Sequence, residues 1–438
     1  MRSRLVVLSG CFAAAALLAG CRTAVPVYEA QARSQLAASA RPDARPPALA
    51  ADSTEADYLR FAVLNHPAVA AAYYDWRASV EAITPARSLP DPQFTFQADV
   101  ADTLMSLMPG LMFDLTTPGK RAALGREAAA GSAVAYRDYT AAVLRTATAA
   151  RKAWIELAYV EETRRLYTAT IHAVEDTLAL TSAEYATGSG MATLEKQTRL
   201  QSELARHHAH HATLDDQFAA ARAKFKSALG LAPTDPDPPW PSPALAATPL
   251  PTEQELWQRA SAANPDLAKM RAMVDAAVAS VAVARTAGTP DFSLGAMADV
   301  RANPIFVRPT ADITLPIWRD KIAATVAAAE SRRDAATARL RAGQLDLAAE
   351  LAQALYMARE ADRMLAYIDD TALPNLARTA ASLEAAVQSG MTSPAMISET
   401  RMMELDLRHE RLAALRDREN AVADLLLLTT DTASDPSP

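Results

Sequence analysis

Of the seven histidines in this chain of 438 residues, four lie within five positions, at His207, His208, His210 and His211. On a helix His207 and His211 stand one turn apart on one face, and His208 and His211 are related by i, i+3. Such pairs can hold Zn²⁺ or Cu²⁺. No carboxylate is interleaved among them, and a solvated helix face is the competing reading. Other chemistry is missing from the motifs. The chain has no nucleophile elbow, P-loop, HExxH or paired CxxC, and its glycines mark turns without forming a phosphate cradle. The expectation is a protein that is not an enzyme and needs no cofactor.

Cysteine use and charge narrow the class. Residues 1–20 read as a secretory leader: Arg2 and Arg4 supply the positive start, and residues 5–19 are uncharged and apolar. That stretch is short for a bilayer span and is set aside from the fold. It ends Leu18-Ala19-Gly20-Cys21, which resembles a bacterial lipobox, so Cys21 is the expected lipidation site. Arg22 follows in place of the Asp that, by the same resemblance, would favour inner-membrane retention. Each buried methylene of an anchor contributes about 0.8 kcal/mol, so several acyl chains hold stably to membrane lipid. Cys11 is the only other cysteine, which leaves no disulfide or thiolate metal site in the mature chain. Loss of Arg2 and Arg4 lowers the formal charge of −7 by two, to about −9, and argues against nucleic acid as a partner.

The elements that must carry these residues are duplicated. Asn65-His66-Pro67, Ala86-Arg87, Pro92 and Phe94 return as Asn264-Pro265, Ala284-Arg285, Pro290 and Phe292. Ser189-Gly190-Met191 returns as Ser389-Gly390-Met391, and Glu203-Leu204 as Glu404-Leu405. The stretch between the copies, 233–251, carries eight prolines and reads as a semi-rigid linker. Order and spacing point to two similar halves of one structure. The division that follows is a signal peptide at 1–20, a lipidated linker at 21–52, a first repeat at 53–232, a Pro-rich linker at 233–252, a second repeat at 253–428 and a tail at 429–438.

Each half has the same grammar: a helix of about 20 residues (68–87; 266–286), two short strands, a very long helix, a glycine turn and a second long helix. No proline occurs from 119 to 232, so the first long helix, 119–187, would extend roughly 100 Å at 1.5 Å per residue. Its partner is expected at 192–229. The second-half counterparts are 320–388, kinked at Pro374, and 393–428. Val143, Ala147, Ala150, Trp154 and Leu157 step by four and three, as do Leu347, Leu351, Ala354, Ala358, Ala361, Leu365 and Ile368. That period means supercoiled packing on neighbouring helices.

The strands bear on function. Phe94, Phe96, Ala98 and Val100 alternate with polar residues, as do Leu111, Phe113 and Leu115. Phe292, Leu294, Ala296, Ala298 and Val300 repeat the pattern, then Ile305, Val307, Ile313 and Leu315. Runs of this length suit transmembrane β-strands, with a small periplasmic sheet packed on helices as the alternative. Four strands cannot close a barrel, and lipid tolerates no open edge, so a spanning sheet must oligomerise. A conducting object prefers three or more protomers, since a barrel of about eight strands fills its own interior.

Two copies of helix, hairpin, long helix, glycine turn and helix resemble the TolC family of outer membrane factors. The cues are Ser88-Leu89-Pro90-Asp91-Pro92, Pro118-Gly119-Lys120-Arg121, Tyr185-Ala186-Thr187-Gly188, Asn264-Pro265-Asp266-Leu267 and Leu315-Pro316-Ile317-Trp318. They span about 54–428, and the flavour is nearest the heavy-metal efflux branch. The resemblance implies a mainly α protein with a small β part: a homotrimer whose twelve strands form an outer-membrane barrel continuous with a periplasmic barrel of twelve helices. Its tip would meet a periplasmic adaptor and, through it, an inner-membrane pump of the resistance-nodulation-division type. It implies adaptor contact at the turns of Gly188, Gly190 and Gly390. Glu399 matches one of two acidic positions at the aperture while the other falls on Met396, so Glu195 and Glu399 are the candidates for carboxylate rings that attract cations. Trp318 and Lys120-Arg121 would sit at the membrane interface or pack at the barrel junction. The strand connections are short. The functional expectation is the exit duct of a tripartite efflux pump, passing small solutes with heavy-metal cations among them. A duct for type I protein secretion and a periplasmic adaptor lipoprotein are the alternatives.

Overall fold

The computed structural model describes residues 24–39, 47–50, 52–100, 104–188, 193–241, 245–393 and 395–430. The leader, Cys21 and Gly190 lie outside them. Contacts divide the chain into two compact units. The first takes residues up to Ser39, Arg77–Ala133 and Ala282–Thr325; the second takes Ala40–Trp76, Val134–Val281 and the remainder from Val326.

The helices are α1 (Val27–Ala38), α2 (Glu55–Asn65), α3 (Pro67–Glu81), α4 (Ile83–Arg87), α5 (Pro118–Thr187), α6 (Leu194–Ala228), α7 (Glu253–Ala263), α8 (Pro265–Arg285), α9 (Arg319–Tyr367), α10 (Leu373–Gln388) and α11 (Ala395–Thr429). The strands are β1 (Gln93–Val100), β2 (Leu104–Leu115), β3 (Asp291–Asp299) and β4 (Phe306–Thr314). The expected long helices are found, α5 at 70 residues. Among the helices expected from the sequence, two differ in detail. The first short helix is divided into α3 and α4. The kink at Pro374 takes the form of a π-turn, Ile368–Ala372, that joins α9 to α10. Proline has no N–H to give the preceding turn, and the widened turn places it at the start of α10, where none is needed.

In the first unit the strands form one antiparallel sheet in the order β1-β2-β3-β4. β2 begins earlier than the alternation indicated and carries Pro109 opposite Phe96. The β3 ladder on β2 starts one residue later, at Gly110, so this proline interrupts only one side of the strand. Helix α1 docks through Glu29, which is 1% exposed. Its carboxylate accepts hydrogen bonds from Arg33 Nε (3.1 Å), Thr84 Oγ1 (2.7 Å) and the Arg87 guanidinium. Burial alone would raise the Glu29 pKa, and the hydrogen bonds from Arg87, Thr84 and Arg33 outweigh it and bring it below the usual range.

The second unit builds the same core twice. In one cluster Tyr58 and Ala62 of α2 pack on Ala150, Ala153, Leu157 and Val160 of α5 and on Ala221 and Phe225 of α6. In the other, Leu256 and Ala260 of α7 pack on Leu347, Leu351, Ala354 and Ala358 of α9 and on Ala421 and Leu425 of α11. The caps repeat as well. Thr54 with Asp57 and Thr252 with Glu255 form capping boxes at the starts of α2 and α7. Asn65 Nδ2 donates to the carbonyl of Leu229 (3.0 Å), and Asn264 Nδ2 to that of Leu428 (3.3 Å). Each asparagine thereby caps the last turn of its own half's final helix.

The proline-rich segment is pinned at several points. Tyr58 Oη donates to Pro239 O at 2.6 Å, Arg222 lies 4.5 Å above the Trp240 ring, and Lys226 Nζ donates to Pro233 O and to Asp237. Thr248 is held by Glu419, which is 3% exposed and also accepts from Arg418 Nη1 at 2.7 Å.

Candidate functional site

The sheet presents two unlike faces. Phe94 stands opposite Leu111, which faces Ala296, which faces Pro309. Phe113, Leu294 and Ala311 form the next row, then Leu115, Phe292 and Ile313. This face is apolar across all four strands and uncovered: Phe94 is 69% exposed, Phe96 61% and Leu294 52%. A contiguous apolar surface of this kind is not stable against water. The other face carries Gln93, Thr95, Asp114, Ser293, Arg308, Thr310 and Asp312 at the alternating positions. Asp114 accepts from Gln93 Nε2 at 3.1 Å and Ser293 Oγ at 2.6 Å, tying three strands together. Among the described residues no helix is long and apolar enough to cross a membrane, a finding silent about strands. Below the sheet Lys120 Nζ pairs with Asp291 at 2.6 Å, and Trp318 is 70% exposed.

The helical hairpin turns are the second feature. Gly188 has φ +67° and Gly390 φ +71°, with open space around both. At the end of α10 the Gly390 N–H donates to Val387 O (3.0 Å) and the Met391 N–H to Ala386 O (2.9 Å). That reciprocal pair needs the left-handed conformation glycine adopts without steric cost. Ser393, just beyond the turn, donates to Glu184 near the end of α5.

Glu195 is exposed in the first turn of α6. Glu399 is not a bare carboxylate: it is paired with Lys196 Nζ at 2.7 Å, linking the start of α6 to the start of α11. The side chains keep 22% and 25% of their exposure. Met396 stands exposed one turn before Glu399.

Helix geometry divides the four clustered histidines. His207 and His210 turn towards Tyr167 of α5, with ring centroids at 6.0 and 4.5 Å. His211 lies 3.3 Å from Thr168 Oγ1 and 3.6 Å from Asp215. His208 is exposed. A residue the sequence reading did not single out completes the group: His409 of α11, 4.5 Å from the same tyrosine. Its membership has no local signal, because α11 comes from the other half of the chain. Burial, then His210 and His207, hold the His409 pKa down to about 4. Burial also lowers His207, and it raises Tyr167. Among the described residues no group of three or more His, Cys, Asp or Glu side chains is placed to hold a metal ion. His207, His210 and His409 instead pack around the Tyr167 ring, joining α5, α6 and α11.

Residues 256–430 match the outer membrane efflux protein family. The match lies within the second half of the chain, and it is to the family that the sequence resembles. It is a channel family and not an enzyme family. No curated protein matches the chain in sequence. Among solved structures, the outer membrane protein VceC from Vibrio cholerae superposes with a TM-score of 0.69 at 16% identity, over 86% of this chain and 96% of that one. CusC, described for conformational changes accompanying folding and transmembrane channel formation, gives 0.70 at 14%, over 94% and 99%. The open state of the Neisseria gonorrhoeae MtrE outer membrane channel gives 0.70 at 16%, over 86% and 88%. This chain is mainly helical with a small antiparallel sheet, in the fold of these channels.

Proposed function

We propose that the chain is the outer-membrane exit duct of a tripartite efflux pump, working as a homotrimer. The uncovered apolar face of the four-stranded sheet carries this reading. A sheet with one apolar and one polar face suits a wall between lipid and water, and closure is required because lipid satisfies no free edge. Three copies would give twelve strands, enough to leave an aqueous lumen. The likeness to solved outer membrane channels and the family match support the same assignment.

In this reading the repeats at 53–232 and 253–428 each supply one helical hairpin to the periplasmic part. The turns at Gly188, Gly190 and Gly390 meet a periplasmic adaptor, which joins the duct to a resistance-nodulation-division pump. Acylation of Cys21 anchors the N-terminus in the outer membrane. Glu195 and the Lys196–Glu399 pair lie near the aperture. Heavy-metal cations are among the proposed cargo. An adaptor lipoprotein would carry a single helical hairpin, whereas this chain carries two.

The test is reconstitution. Full-length protein extracted from outer membranes should run as a trimer by native mass spectrometry, carry an acyl mass on its N-terminal peptide and conduct ions in planar bilayers. A monomer that never conducts would sink the proposal. A deletion strain then ranks cargo by its sensitivity to zinc, cobalt, cadmium, copper and silver against dyes, detergents and antibiotics.

A further inference from the structure

The polar face of the sheet is interrupted by thioethers. Met108, Gly110 and Met112 alternate along β2 on the face opposite Leu111 and Phe113. Gly110 pairs with Met297 of β3, and Met112 pairs with Gly295. The glycines make room for the methionines. A Cβ on Gly110 would lie 2.6 Å from Met297 Cγ, and one on Gly295 would lie 3.1 Å from Met112 Sδ. Met297 therefore lies over Gly110, between Met108 and Met112. Diagonal neighbours on adjacent strands stand about 7–8 Å apart at the backbone, within reach of long side chains. Met108 is fully buried and Met112 and Met297 half-buried.

A second observation falls on the same two rows. Thr95 pairs with Gly110 from the β1 side, and Thr310 pairs with Gly295 from the β4 side. The hydroxyl oxygens of both threonines are buried and have no hydrogen-bond partner. Buried hydroxyls are usually satisfied, and both flank the thioether patch. The rows run Thr95-Gly110-Met297-Arg308 and Gln93-Met112-Gly295-Thr310.

We infer that this patch binds soft monovalent cations of the silver(I) and copper(I) class, through the sulfurs of Met108, Met112 and Met297. Thioethers select soft ions, and they hold hard or borderline ions such as Mg²⁺ and Zn²⁺ poorly. Water-facing strand positions in a duct ordinarily carry polar side chains, so thioethers there need a reason of their own. A patch of neutral sulfurs, with Arg308 on the neighbouring strand, binds weakly enough for an ion to enter and leave, as conduction demands. The inference rests on the channel reading in placing this face towards the lumen, and it names the metal class among the proposed cargo.

The experiment is silver binding by the purified full-length protein in chloride-free detergent buffer. A background with His207, His208, His210, His211 and His409 changed to alanine removes the clustered imidazoles. Equilibrium dialysis read by elemental analysis should find about one bound silver ion per protomer in that background, with an affinity about tenfold lower when M108L, M112L and M297L are added; zinc should not bind there. Leucine conserves volume, and the single variant M297L serves if the triple variant does not assemble. Silver should also shield Met112 and Met297 of the unmutated protein from peroxide, read by peptide mass spectrometry, while exposed Met391 oxidises unprotected. Silver retention unaffected by the leucines, or peroxide reaching Met112 and Met297 equally with and without silver, overturns the inference. Planar-bilayer conductance of the same samples reads the channel proposal separately. Conduction without thioether-dependent silver binding rejects the inference alone, and silver binding without conduction rejects the duct alone.

Discussion

The Lys196–Glu399 pair gives a measurable handle on aperture behaviour. At 2.7 Å, two unit charges at an effective dielectric near 20 attract by about 6 kcal/mol before any cost is counted. The two side chains are still a fifth to a quarter exposed, and ordering them is costly. The net contribution therefore falls to about 1 kcal/mol. If the pair holds α6 to α11 in the closed arrangement, Glu399→Gln removes about 1 kcal/mol per protomer. That is about fivefold in the open-to-closed ratio if the protomers act singly, and on the order of 150-fold if three act together. The assay is open probability of the purified protein in planar bilayers, with E399Q and K196Q as single variants and the charge swap K196E/E399K as the rescue. Both singles should open the duct, high salt should open the unmutated protein partway, and the swap should restore closure. If the singles leave open probability unchanged, or the swap behaves as they do, the pair is not a closing contact.

Three other outcomes are expected. Removing Glu419 by E419A leaves Arg418, 6% exposed, without its neighbouring carboxylate and frees Thr248. Asp362 still pairs with Arg418, so the solubilised protein should lose about 1.5–3 kcal/mol, seen as a lower thermal midpoint. His409 is held neutral in the folded chain, with its pKa brought from the ordinary 6.5 to about 4. The unfolded chain therefore binds the proton first as acid is added: the stability from this residue is fully present above pH 6.5 and is lost as pH falls from 6.5 to about 4. Denaturant titrations across that window should show a flatter acid limb for His409→Gln, and an unchanged slope would remove His409 as the cause. Gly390→Ala forces a side chain into φ +71° with no steric neighbour. It should cost about 1–2 kcal/mol and weaken capture by an adaptor without abolishing conduction; Gly390→Asn should be milder because asparagine tolerates that conformation.

Much of the architecture could be read from residue order because it depends on local periodicity. Alternation from Phe94 to Val100 and from Phe292 to Val300 marks strands, since successive side chains leave a strand on opposite faces. The four-three step from Leu347 to Ile368 marks a packed seam, and Leu347, Leu351, Ala354, Ala358, Ala361 and Ile368 are indeed buried. Glycine at 188 and 390 marks turns because the backbone there must take positive φ. The short helices α2 and α7 escaped notice although their capping boxes, Thr54 with Asp57 and Thr252 with Glu255, were legible. What local order does not contain is the identity of distant neighbours. That Lys196 meets Glu399, that His409 joins His207 and His210 on one tyrosine, and that Met297 lies over Gly110 all follow from helix packing and strand register. A period says which face of an element is buried. Only the packed structure says which residue of another element arrives there, because a one-residue slip in register exchanges the faces of a strand and with them every partner.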